Sequence, residues 1–311
     1  MIHDQDVLIY LSKQFSNDDK AASSHWRHYH KFFEIGDNLN IVKTMGFGDG
    51  KKRSVMANIA HEILQTPYRR MVQQGPDFDS LKAIAKQCTK DCGIRFSLDV
   101  LRQVLTLADL KSKKLIKSNQ NSIVIGDGFG SLTSLLLQSG LANKVVLVNL
   151  RKTLFVDISM LLQISFFQET GSISLAQSPK DIKQAMANET VKVIAVEATN
   201  SSILHHSNAD IAFNIASMQE MDMKSINEYF DQFRKIATSR EFLFYCCNRE
   251  KKRLPDGSWI VFNQYPCSGT DKHFFDEPCP WHQFYYKIFP PSYRNYDGRL
   301  MHRFTRIGPS S

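Results

Sequence analysis

Hydrophobic positions in the middle of the chain fall into short β-branched runs separated by stretches with helical spacing. Ile123-Val124-Ile125 is the first run, compact enough for a strand buried on both faces. It breaks at Gly126-Asp127-Gly128-Phe129-Gly130, after which Leu132, Leu135, Leu136 and Leu137 predict a helix folded back on the sheet. Val145 to Leu150 reads as a second strand, followed by a helix through Phe155, Ile158, Leu161 and Leu162. Val191 to Val196 is a third strand and Ala209 to Ala216 a fourth. Met223, Ile226, Phe230, Phe233 and Ile236 mark a helix, and Glu241 to Cys246 a fifth strand. Such alternation implies an α/β fold, a Rossmann-like doubly wound sheet that is mostly parallel. After Asn248 the alternation stops. Trp259 to Asn263 and Leu300 to Ile307 then read as turn-linked strands forming an antiparallel edge.

Ahead of this domain, assigned to residues 96–311, residues 1–95 read as a helical N-terminal extension or lid. Val7, Leu8, Tyr10 and Leu11 open an amphipathic turn or two, and Ser97 caps a helix carrying Leu98, Leu101, Val104, Leu105 and Ala108. Residues 46–52 and 74–77 read as turns. His25 to Phe33 interleaves three histidines with aromatic residues. On a helix His28 and His30 point apart, so a packing surface or lid is preferred there to a metal site.

Composition narrows the class. The 311 residues are 42% hydrophobic and 23% charged, values of a globular protein. No apolar run approaches the roughly 20 residues of a membrane span, and no signal-peptide core opens the chain; a cytoplasmic protein is expected. The formal net charge is +8, but the basic residues are dispersed, with short clusters at 111–114 and 249–253. Nucleic acid is therefore disfavoured as a partner. The six cysteines contain no pair of C-x-x-C motifs, so reduced thiols are expected, without disulfides or a metal. A homo-oligomer is left open.

The glycine loop is where chemistry enters. A strand, a glycine turn and a helix N-terminus bring a ligand close to bare backbone N–H groups. A P-loop needs Gly-Lys-Ser/Thr at the helix start, which Gly130-Ser131-Leu132 lacks. A dinucleotide fingerprint wants a longer step than Gly128 to Gly130. Asp127 would sit poorly beside a pyrophosphate but suits an ammonium group. The pattern resembles motif I of class I S-adenosylmethionine (SAM) methyltransferases. Asn149 ends the second strand, where an acid usually holds the ribose; Glu197, ending the third, is a candidate for the adenine or ribose side.

The fourth strand runs into Asn214-Ile215-Ala216-Ser217-Met218-Gln219-Glu220-Met221. Together with IGDGFG, the YF-x-x-FRKI helix, the FLFYCCNRE strand and the tail WHQFYYKIFPPSYRNYDGRLMHRF, it resembles the sugar O-methyltransferase family over residues 95–307. That resemblance implies a class I methyltransferase fold, SAM as donor, and a sugar, nucleotide-sugar or glycan hydroxyl as acceptor. It places Gly126, Asp127, Gly128, Phe129 and Gly130 in the cofactor loop, with Asn214, Ser217 and Glu220 beside the reacting groups.

A sugar hydroxyl needs a base to take its proton. Glu220, His205 before the fourth strand and His282 in the tail are the candidates. Trp26, Trp281 and Arg294 are expected to line an aromatic acceptor site with Ser217. The alternatives are a NAD-dependent oxidoreductase and a nucleic-acid-binding Rossmann-like protein, including an RNA methyltransferase.

Overall fold

A computed structural model describes residues 2–13, 15, 19–44, 55–72 and 75–309. The turn expected at 46–52 lies outside the described residues, as does Gln74. A nine-stranded sheet organises the rest. Its strands are β1 (Ile2–His3), β2 (Gln120–Ile125), β3 (Ala142–Asn149), β4 (Ile173–Leu175), β5 (Val193–Glu197), β6 (Ile211–Ile215), β7 (Phe242–Arg249), β8 (Lys272–Pro278) and β9 (Leu300–Ile307). Their spatial order is β1-β4-β5-β3-β2-β6-β7-β9-β8. The six strands from β4 to β7 in that order are mutually parallel. β1 pairs antiparallel at one edge, β9 and β8 at the other. The fold is the Rossmann-like α/β sheet with an antiparallel edge that the alternation implies.

The run at 123–125 shows why this sheet must be covered twice. Ile123 and Ile125 pack on one side, with Ile226, Phe230 and Phe233 of the Met223–Ala237 helix. Val124 packs on the other, with Leu101 and Leu105 of the Leu98–Ser112 helix. Successive side chains of a strand leave opposite faces, so an all-apolar strand needs an apolar layer on each. Ser97 caps the Leu98–Ser112 helix as expected, its Oγ accepting from Val100 N–H at 3.3 Å. Asp222 does the same for the Met223–Ala237 helix through Ser225 N–H at 2.7 Å.

Three elements differ from the sequence reading. Trp259–Val261 pairs with Lys251–Arg253 in a separate hairpin, and the edge beside β9 is instead the charged, non-alternating segment Lys272–Pro278. β4 has three residues, too few to leave a periodic pattern. The N-terminal segment contains helices at Gln5–Ser12, Ser24–Tyr29 and Pro76–Asp91, the last starting inside the stretch 74–77 that reads as a turn. Yet Val7, Leu8, Leu11, Phe78 and Leu81 share one core with Val124 and Leu135. No described helix is long and apolar enough to cross a membrane.

Candidate active site

β2 delivers the chain into the glycine loop at the carboxyl edge of the sheet. Gly126, Gly128, Phe129 and Gly130 all have φ between 64° and 69°. At Gly126 a Cβ would fall 1.9 Å from the Ser217 Oγ, and at Gly130 2.7 Å from the Leu161 side chain. Only glycine meets both demands, left-handed backbone and close approach. Phe129 adopts the left-handed region without that freedom, as does Ala216 in the facing loop, and both line the cavity described below. Strain of this kind gathers where the surroundings over-determine the backbone.

Asp127 turns inward. Its carboxylate accepts from Leu132 N–H at 2.8 Å and Thr133 N–H at 2.7 Å, capping the Ser131–Gln138 helix. Behind it lies Asp157, missed by the sequence reading, which accepts from Gly130 N–H at 3.2 Å and from Asn149 Nδ2 at 2.8 Å. Burial pushes Asp127 up to about 6, and burial plus the Asp127 charge push Asp157 well above the usual carboxylate range. This explains the asparagine at 149. A carboxylate there would confront Asp157, whereas the amide donates to it and accepts from Leu150 N–H and Thr153 Oγ.

Between this loop, Ile215 to Glu220 and the start of the Leu98–Ser112 helix lies a cavity of about 250 Å³. Trp26, Arg95, Asp99, Gln103, Asn149, Ser217, Glu220 and His282 contribute to its walls. A smaller recess of about 30 Å³, beyond β3 and β5, shares Trp26, Asn149 and Ser217 with it. Two buried wall atoms, Gln103 Oε1 and His282 Nε2, have no hydrogen-bond partner.

Glu220 is held from two sides. Its Oε1 accepts from Lys252 Nζ at 2.6 Å and lies 3.4 Å from His25 Nε2. Its carbonyl also accepts a short hydrogen bond from Ser23. Burial favours the neutral acid, but the His25 hydrogen bond and the Lys252 charge outweigh it and hold the pKa below the ordinary glutamate value. His282 is buried, and burial, then the neighbouring Arg102 and His302, push its pKa well below that of a free histidine.

Of the residues singled out in the sequence, Gly126, Asp127, Gly128, Phe129, Asn149, Ser217, Glu220, Trp26 and His282 line the cavity. The others do not. Gly130 packs against the neighbouring helix. Asn214 is buried, donating to Ile125 O and accepting from Met218 N–H and Asn248, which fixes β6 to the end of β2. Glu197 is buried against Arg151 at 2.6 Å. His205 precedes β6, at the opposite edge from the cavity, and bonds Gln232 at 2.8 Å. Trp281 is 2% exposed, its Nε1 donating to Thr106, so it is core and not lid. Arg294 is exposed on the Phe284–Lys287/Ser292–Asn295 hairpin. Of the tail's aromatics Tyr265 and Trp281 are buried and Phe275, Phe284 and Tyr286 pack against the core, while Trp259, Phe274 and Tyr293 are exposed.

No family model and no curated protein matches this chain. Solved structures similar to it include M. capricolum TrmK bound to S-adenosylhomocysteine, 13% identical over 65% of this chain and 68% of that one, with a TM-score of 0.36. Another is a proposed RNA methyltransferase from Pyrococcus horikoshii, 11% identical over 75% of this chain and 98% of that one, TM-score 0.42. A proposed tRNA (m1A22) methyltransferase from Streptococcus pneumoniae, solved with SAM, is 7% identical over 64% of this chain and 71% of that one, TM-score 0.33. Two of the three were solved with SAM or its product. The expected partners are corrected: with RNA methyltransferases among these neighbours, a sugar, nucleotide-sugar or glycan acceptor is not carried forward, nor is the exclusion of nucleic acid.

Proposed function

We propose that the protein is a SAM-dependent methyltransferase whose acceptor gives up a proton to Glu220. The observation that carries this reading is the junction of Gly126 and Ser217, where a loop with no room for a side chain opens into a cavity lined by Asn149, Gln103 and Glu220. Backbone at Gly126 and Gly128, with Asn149 and Ser217, would hold the cofactor. When bound, SAM supplies an electrophilic methyl group on a sulfonium.

The chain's own residues have two tasks in such a reaction. One is to hold the acceptor in line with the methyl, which supplies much of the rate. Trp26 and Gln103, which line the cavity, would take that part. The other is to take the proton. An attacking O–H or N–H becomes strongly acidic as its new bond to carbon forms, so even a carboxylate with a lowered pKa is basic enough late in the step. Lys252 and His25 keep Glu220 ionised and fix its direction.

A nucleic-acid acceptor is the class adopted in this reading, with Arg95 on the cavity wall supplying a cation for a phosphate. Calorimetric titration with S-adenosylhomocysteine, with NAD in parallel, tests the cofactor: micromolar binding of the former alone is expected, and binding of NAD alone overturns the reading. Transfer of tritiated methyl from SAM to RNA, falling steeply with added salt, is expected for the acceptor. Salt-independent or absent transfer by a protein that binds S-adenosylhomocysteine would refute the acceptor class while leaving the cofactor in place.

A further inference from the structure

Behind the His282 wall the fold gathers three potential metal ligands that the sequence scatters. Cys247 lies in β7, Cys279 directly follows β8, and His282 closes the short turn after it. Their donor atoms all lie within 4.8 Å of one another. Cys247 and Cys279 are fully enclosed and His282 is 4% exposed. A tetrahedral zinc ion, with Zn–S of about 2.3 Å and Zn–N of about 2.0–2.1 Å, holds its ligand atoms roughly 3.5–3.8 Å apart. The three groups therefore need to close by at most about 1.0–1.3 Å to meet one ion.

The second observation is independent of that spacing. His282 Nε2 is buried without a hydrogen-bond partner, a state that native structures rarely leave unexplained. The backbone around it, in contrast, is tied down. Cys279 N–H donates to Leu300 O at 2.9 Å, and His282 N–H to Cys279 O at 3.1 Å. Gln283 Nε2 donates to the carbonyls of Cys279 and Leu300 at 2.7 and 2.8 Å. A turn held by such bonds presents a thiol and an imidazole toward a third ligand on β7, two strands away, as outer hydrogen bonds do for a metal site.

We infer that Cys247, Cys279 and His282 bind a zinc ion that pins the turn after β8 to β7 at the back of the cavity. Two thiolates and one imidazole are a soft donor set suited to zinc rather than to magnesium or calcium. The site does not depend on the identity of the acceptor.

The test uses the full chain, expressed with zinc and purified under reducing conditions. Elemental analysis should find about one zinc per chain. Replacement by cobalt(II) should give thiolate-to-metal charge-transfer absorption and the visible bands of a tetrahedral ion. Cys247→Ser and Cys279→Ser should each lower bound metal at least tenfold, whereas Cys88→Ser, at a buried thiol bonded to Ser134 and Gln138, should leave it unchanged. Should the serine variants fail to fold, the cobalt spectrum of the wild-type chain decides alone. Folded wild-type protein that takes up neither ion, or a Cys247–Cys279 disulfide in freshly purified protein, overturns the proposal. Metal retained in the serine variants does so as well.

Discussion

The cavity has two unlike walls. On one side the glycine loop between β2 and the Ser131–Gln138 helix is backbone, positioned by Asp127, Asp157 and Asn149 in a chain of hydrogen bonds. On the other, His282 belongs to an antiparallel edge whose aromatics and thiols are packed into the core. The loop wall is set first by local chemistry, the glycines and the Asp127 cap lying within a few residues, and is then closed from outside by Asp157, Leu161 and Ser217. The tail wall is set by long-range packing. Arg102, for example, is buried and ties the tail to the helix after Ser97 through Trp281 O, Phe284 O and Tyr296. Substitutions in the loop should therefore damage binding before stability, and substitutions in the tail the reverse.

The largest effect should come from the tail. Trp281→Ala opens a cavity in the core and should cost about 3–5 kcal/mol. Urea unfolding should show this, while the protein that remains folded binds S-adenosylhomocysteine normally; weakened binding with full stability would reverse the assignment of Trp281 to the core. Gly126→Ala makes the opposite demand. It adds a Cβ 1.9 Å from the Ser217 Oγ and a left-handed penalty of about 1–2 kcal/mol. Calorimetry should show at least a tenfold loss of cofactor affinity, and adding Ser217→Gly should recover the part due to the clash.

Glu220→Gln leaves Lys252 without its charged partner and should cost about 1–3 kcal/mol, together with most of the turnover. The sign of its pH dependence follows from its lowered pKa. The native state holds this carboxylate ionised more firmly than the unfolded chain does, so its stabilisation is present above the ordinary glutamate range and is lost as pH falls through it. Acid unfolding should thus begin at higher pH in the wild type than its neutral-pH advantage over the variant would suggest.

Asp127 has the reverse sign. With its pKa raised to about 6, the native state prefers the proton, and stability declines as pH rises through that value. Asp157→Asn removes a second buried carboxyl whose pKa is raised well above the ordinary range, and should flatten the overall decline in a thermal-melt series from pH 5 to 8. Smallest of all, Arg294→Ala, on an exposed hairpin, should change stability by less than about 0.5 kcal/mol and leave cofactor affinity alone; a clear loss of either would return Arg294 to the site.

The sequence by itself determined the alternation of strands and helices, the position of the loop and the left-handed backbone it requires. These are local: β-branched runs, glycine placement and caps such as Ser97 act over a few residues. It also marked Glu220 and Ser217, because polar residues after the Ala209–Ala216 run must stand at the strand's carboxyl end. Only the tertiary structure decided what those residues face. Asn149 reads as a missing acid until Asp157 is seen beneath it. Trp281 and Arg294 look alike as binding residues until one is found in the core and the other in solvent. His205 and His282 were equal as histidines; the loop before β6 carries one to the far edge of the sheet, and the turn after β8 carries the other to the cavity. Cys247 and Cys279 meet only because β9 lies between their strands and its Leu300 carbonyl receives the Cys279 N–H. Contacts of that kind depend on the sheet order, and no local pattern encodes them.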